Sequence, residues 1–263
     1  MKATALEFRL RFWIIMAIYT LGFVAPWDFV WHIDGTGPNA HVWGQLAVLL
    51  SRGGAIHPNQ QTGWGPGLSI AAAFNLVLAA AIVCAFAGAW LRTWGSAYLG
   101  VDVMQDMNMR GEGVVADGPY RYMRNPLYLG AWLNLLALAL LMPPSGAIFT
   151  LVAMIGFQVR LIFGEEAFLT EKLGEAYRAY CARVPRILPA LRPRVAGSGA
   201  RARWGQAVLA EIFMWGSAAS FAVLGWRYNA FLLLQCVLVW LGVSLVVKAF
   251  SAGRGTGAET AEG

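Results

Sequence analysis

The chain reads as an all-α polytopic membrane protein, with about six transmembrane helices and an amphipathic helix on its cytoplasmic face. Three observations carry that reading. Hydrophobic residues make up 58% of the 263 and charged residues 13%, far from the balance of a soluble domain. Apolar runs recur at 12–25, 68–91, 127–142, 146–163, 206–226 and 229–247, against the roughly 20 residues a helix needs to cross a hydrocarbon core. With the N-terminus cytoplasmic, only Arg52 and Arg227 of the 20 Lys and Arg residues fall outside, a steep positive-inside bias.

Each element follows in order. Residues 1–67 hold a first span and a long non-cytoplasmic segment. No small-residue cleavage site follows the first run, so it is retained and not a removed signal. Within 26–67, His41–Ser51 has the spacing of a short interfacial helix, with Trp43, Leu46, Leu49 and Leu50 on or near one face. All three histidines, His32, His41 and His57, lie in this segment, without ligand spacing, and no metal site is expected. Residues 68–190 form the membrane core. Between its first two runs lies the polar, Gly-rich stretch 92–125, with Gly95, Gly100, Gly111, Gly113 and Gly118, long enough to be a functional loop. Pro143-Pro144-Ser145 breaks the next two runs into a helical hairpin whose tip reaches the far surface. Phe168, Leu169, Leu173, Tyr177 and Tyr180 recur near helical spacing and predict an amphipathic helix over 165–183, closed by Pro185 and Pro189. The stretch 189–205 is basic and flexible, its portion 191–205 linking to a C-terminal hairpin over 206–250. Residues 251–263 are small and polar, a disordered tail.

Cys84, Cys181 and Cys236 are scattered, which excludes a disulfide framework or cysteine zinc site. The net charge of +6 is met by topology and anionic headgroups, so no nucleic-acid partner is implied. There is no internal repeat, and no motif sets an oligomeric state. The localisation expected is the bacterial inner (plasma) membrane, with both termini cytoplasmic.

The most informative stretch is 118–130, GPYRYMRNPLYLG. Arg121, Tyr122, Arg124 and Asn125 sit between Pro119 and Pro126, and an apolar run follows at once. Proline at a first helical position costs little, because its missing N–H would be unpaired there anyway. Asn125 is the natural N-cap of a helix beginning at Pro126. The result is a helix N-terminus beside two arginines at membrane–water depth. A second block follows: Gly164-Glu165-Glu166, then Leu173 to Tyr180 (LGEAYRAY), then Val184-Pro185-Arg186.

Together these blocks closely resemble the signature of the integral-membrane methyltransferases related to isoprenylcysteine carboxyl methyltransferase and phospholipid N-methyltransferase. The resemblance covers about residues 85–190. It implies S-adenosyl-L-methionine as cofactor and a lipophilic acceptor entering from the bilayer. It implies a catalytic set of Arg124, Asn125, Glu165 and Glu166, in a cofactor pocket that adds Tyr122, Pro126, Tyr128 and Gly130. Arg160, Tyr177 and Arg178 are candidate substrate contacts, with Arg124, Arg160 or Arg178 available to pair with one glutamate. Arg183 and Arg186 suit an acidic substrate group; Arg121 and Tyr120 are assigned to the headgroup region. Glu211, at the start of the 206–226 run, can reach the cytoplasmic interface.

In this family the position after Arg124 is often His, whereas here it is Asn125, which hydrogen-bonds but does not titrate near neutrality. A carboxylate or thiolate acceptor needs no base, and an ammonium must first lose a proton. The acceptor expected is therefore a prenylcysteine-type carboxylate, with a phospholipid amine or small thiol as alternatives. A non-enzymatic sensor or assembly protein on the same scaffold is the rival from another class. Transport is disfavoured, because the charges cluster at helix ends and not near mid-membrane.

Overall fold

In the computed structural model, residues 3–25, 27–28, 32–34, 40–51, 68–99 and 116–259 are described. His57, residues 100–115 of the 92–125 stretch including Gly100, Gly111 and Gly113, and residues 260–263 lie outside them. Among the described residues the chain is all α, with nine helices: α1 (Ala5–Val24), α2 (Val42–Ser51), α3 (Ile70–Leu99), α4 (Pro126–Ala139), α5 (Pro144–Leu173), α6 (Glu175–Arg183), α7 (Trp204–Ala210), α8 (Ile212–Leu224) and α9 (Ala230–Glu259). Helix α9 thus continues into the stretch expected to be a disordered tail.

Among the described residues, the helices long and apolar enough to cross a membrane number three to four, where the hydropathy runs suggest about six. Three are long and apolar enough to cross a membrane, α3, α5 and the Ala230–Phe250 part of α9, and α7 with α8 makes a fourth only as a pair bent by 68°. Helix α1 carries Glu7, Arg9 and Arg11 in its first two turns. Helix α4 has 14 residues, about 21 Å at 1.5 Å per residue, short of a hydrocarbon core about 30 Å thick. The protein is an integral membrane protein, with three to four apolar spans among the described residues.

Packing separates two ends. At one, the N–H groups of Val42 and Trp43 bond the carbonyls of Met142 and Leu140 at 3.0 Å each, and Trp43 packs with Phe74 and Tyr228. The buried stripe of α2 is Trp43 and Ala47, with Leu50 packed beside them, whereas Leu46 and Leu49 are exposed. The helix is therefore docked on α3 through Trp43 and Leu50 of the expected face together with Ala47. At the other end lie the start of α1, the end of α3, the start of α4 and the end of α5. There Ala3 N–H bonds the Arg160 carbonyl at 3.1 Å.

The expected helix over 165–183 is two pieces. Residues 165–173 are the last turns of the 30-residue α5, and Gly174 breaks the axis at φ 58°, ψ −130°, a backbone state open to glycine and strained for other residues. Helix α6 then packs Tyr177, Tyr180 and Val184 against Leu169, Leu173 and Val195. Its path brings Pro185 and Arg186 back to the start of α4.

Candidate active site

The site is a turn held from three sides. A 3-10 turn over Gly118–Arg121 leads through Tyr122 and Met123 to Arg124 and Asn125. The N–H of Arg124 bonds the Pro185 carbonyl at 2.9 Å and that of Asn125 the Arg186 carbonyl at 3.1 Å. The strap after α6 continues along the same turn: Ala190 N–H reaches the Tyr122 carbonyl at 3.0 Å and Arg194 N–H the Arg121 carbonyl at 2.8 Å. Arg121 returns a bond from its Nε to the Val195 carbonyl at 3.0 Å. Asp117 accepts from Ser198 Oγ and from the N–H groups of Gly199 and Ala200 at 3.2 and 3.3 Å. The Ser198 hydroxyl, then these backbone donors, hold the Asp117 carboxyl below the usual aspartate range. The stretch 189–205, expected to be a flexible linker, is thus tied down along the turn.

Pro126 opens α4 as expected, with Asn125 at the N-cap, yet Asn125 does not cap. Its side-chain amide instead donates at 3.1 Å to Glu166 Oε1 and at 3.1 Å to the Arg186 carbonyl. Glu166, 8% exposed, is the keystone. It also accepts from Arg186 Nε at 3.2 and 3.0 Å, lies 2.9 Å from Arg186 Nη2 and 3.4 Å from Arg124 Nη1. One carboxylate thereby joins the turn, the end of α5 and the strap.

Glu165 faces elsewhere, as adjacent helical positions about 100° apart must. It is half-buried and its Oε1 accepts from the Tyr128 hydroxyl at 2.7 Å. Arg11 of α1 is near enough for its charge to act on both. The two glutamates therefore do different work: Glu166 ties backbone segments together, and Glu165 is a carboxylate beside a phenol.

The other expected residues divide. Tyr122 is half-buried, its ring 6.0 Å from that of Trp94. Tyr177 is buried, its ring 5.8 Å from that of Tyr180, whose hydroxyl donates to the Tyr120 carbonyl at 2.8 Å. Burial pushes the Tyr120, Tyr177 and Tyr180 phenols up, so all three stay protonated. Tyr120 is 7% exposed and belongs to the packed turn, not to a headgroup layer. Gly130 serves helix packing: a Cβ there would lie 2.6 Å from Arg92 Cγ and 2.8 Å from the Gly88 carbonyl. Two residues leave the site. Arg160 forks onto Glu7 of α1 at 2.9–3.1 Å, and Arg178 pairs with Glu175 at the exposed surface at 3.3 Å. Arg186 is engaged by Glu166, which no local motif announces, because the break at Gly174 sets the path of the chain.

Residues 76–176 match the model of the phospholipid methyltransferase family, which is related to the isoprenylcysteine carboxyl methyltransferases. Neither a curated protein nor a solved structure gives a significant match. Members of this family are membrane methyltransferases that use S-adenosyl-L-methionine. The turn fits that cofactor. Arg124 Nε and the Tyr120 hydroxyl are buried with no hydrogen-bond partner among the described residues, and an unpaired buried donor costs about 1–3 kcal/mol. A carboxylate and hydroxyls, both present on S-adenosyl-L-methionine, are the acceptors such donors need.

Proposed function

We propose that this chain, a membrane protein with a methyltransferase domain of the phospholipid methyltransferase family, methylates the amine of a phospholipid headgroup. The family match supports that acceptor class. The observation that carries it within the site is the Tyr128–Glu165 pair, with Glu165 half-buried and Tyr128 Oη 2.7 Å away. A headgroup amine is an ammonium near neutrality and must lose a proton before its lone pair can attack. Asn125 cannot take that proton; Glu165 can.

When bound, S-adenosyl-L-methionine supplies a methyl group already made electrophilic by its sulfonium. The protein's own work is then alignment and the exclusion of water. Arg124, with its unpaired Nε, binds the cofactor carboxylate, while Glu166 and Arg186 keep the turn from yielding. Glu165 accepts the ammonium proton with Tyr128 steadying the carboxylate. The amine then forms its N–C bond as the C–S bond breaks, the electron pair leaving with sulfur. The reaction face is taken to be cytoplasmic, where the cofactor is.

The test is methyl transfer from tritiated S-adenosyl-L-methionine by protein in vesicles of phosphatidylethanolamine with added N-acetyl-farnesylcysteine. Label in the methylated headgroup, lost in Glu165→Gln, is the expected result. Base-labile label in the farnesylcysteine alone would overturn the proposal in favour of carboxyl methylation.

A further inference from the structure

Outside the matched residues, a buried charge joins the C-terminal helices to the first turn of α4. The apolar run 206–226 is broken at Glu211, where α7 and α8 bend by 68°. That carboxylate, 3% exposed, meets Arg92 of α3, 20% exposed. Arg92 Nε donates to Glu211 Oε2 at 2.6 Å and Nη2 to Oε1 at 2.9 Å, and Ser96 Oγ adds a bond to Oε1 at 2.8 Å. Trp215, one turn into α8, bonds Thr93 Oγ1 at 2.9 Å. Buried ion pairs in a bilayer are costly and are rarely kept for stability alone.

What Arg92 does with its third nitrogen gives the pair a role. Nη1 donates to the Leu127 carbonyl at 3.1 Å, and the aliphatic stem of Arg92 lies in the space that Gly130 leaves open. Leu127 sits between Asn125, which bonds Glu166, and Tyr128, which bonds Glu165. A planar guanidinium can hold a carboxylate in a fork and still reach a carbonyl; an ammonium cannot do both in this geometry.

We infer that Arg92 and Glu211 are positioning residues of the methyl-transfer site: Glu211 orients Arg92, and Arg92 holds the first turn of α4, with Asn125 and Tyr128, in register with the glutamate pair. The C-terminal helices are then part of the working enzyme and not an appendage to residues 76–176. The inference rests on the assignment of the turn as the cofactor site.

The experiment compares Arg92→Lys, Glu211→Gln and Ser96→Ala in the full chain, in lipid nanodiscs. It measures the thermal midpoint and the dissociation constant of S-adenosyl-L-methionine for each. Arg92→Lys keeps a cation for Glu211 and lacks the arm to Leu127, so cofactor binding weakens about tenfold, as small misplacements of binding groups do, while the midpoint falls by an amount comparable to that in Ser96→Ala. Glu211→Gln weakens binding similarly. Ser96→Ala, which loses a bond to Glu211 but nothing to Leu127, lowers the midpoint and leaves affinity within about twofold. Wild-type affinity in Arg92→Lys, or affinity that follows the midpoint across all three variants, overturns the inference. Should Arg92→Lys not fold, Glu211→Gln against Ser96→Ala decides the same question. A wild type that binds no cofactor refutes instead the assignment of the turn.

Discussion

Replacing Glu166 by Gln keeps the shape of the side chain and removes its charge, which isolates what the keystone contributes. The carboxylate receives the Asn125 amide at 3.1 Å, Arg186 through Nε and Nη2 at 3.2, 3.0 and 2.9 Å, and Arg124 Nη1 at 3.4 Å. Removing one partner of a fully buried pair costs about 3–5 kcal/mol. Here the Arg186 side chain is 42% exposed whereas that of Arg124 is 11% exposed, so water recovers much of the Arg186 share. The glutamine oxygen can still accept one bond, and its amide meets cations it cannot serve. A net cost of about 2–4 kcal/mol follows, or roughly 5–15 °C in thermal midpoint at 2–4 °C per kcal/mol. The same loss frees the turn at Arg124, so cofactor affinity falls by at least about tenfold, 1.4 kcal/mol of the total. Glu165→Gln, by contrast, exchanges one bond with Tyr128 and costs about 1 kcal/mol, while abolishing transfer to an amine. The assay is intrinsic-fluorescence melting and cofactor titration of both variants in the same detergent. The reasoning is refuted if Glu166→Gln melts within 1 °C of wild type and binds equally well, or if the two variants change places.

Two further outcomes follow from the strap and from the break in the long helix. Because the Asp117 carboxyl is held below its ordinary value of 3.8 by Ser198, Ala200 and Gly199, it stabilises the fold fully above that value and loses the contribution as pH falls through the lower folded one. The difference in midpoint between wild type and Asp117→Asn is therefore constant from pH 7 to about pH 5 and shrinks below 3.8, and at pH 7 trypsin cuts Asp117→Asn faster at Arg194 and Arg201; a difference that grows on acidification contradicts the assignment. Gly174→Ala forces a Cβ into the backbone state at φ 58° at a cost of about 1–3 kcal/mol, lowering the midpoint and displacing Tyr180 from the Tyr120 carbonyl; an unchanged midpoint would mean that the break is not set at this residue.

What was legible in the sequence was local chemistry. Proline at the first helical position and Asn before it fixed the start of α4 to the residue, since those preferences act over one turn. The glutamate pair and the arginine turn were found together because both lie in short ordered blocks. The partners across the site were not legible. Arg160 and Arg178 were available from sequence as cations to pair with a glutamate, yet Arg160 is met by Glu7, 153 residues away, and Arg178 pairs at the exposed surface with Glu175. The apolar spacing over 165–183 reads as one continuous helix, and that reading fails at Gly174, where a single glycine ends the continuity.

The same limit explains the spans. Hydropathy averages over a window about 19 residues wide, so the run 206–226 reads as one helix despite Glu211 near its start. Glu211, placed by the sequence where it can reach the cytoplasmic interface, is buried instead and paired with Arg92, 119 residues earlier in the chain. The pairing was not legible, because it depends on which helices become neighbours. That is decided by the close approach of α3 and α4 at Gly88 and Gly130, which sets the stem of Arg92 across α4 and aims its head at the bend. Gly130, a glycine of the turn motif, makes room at this contact for the arginine that reaches Leu127.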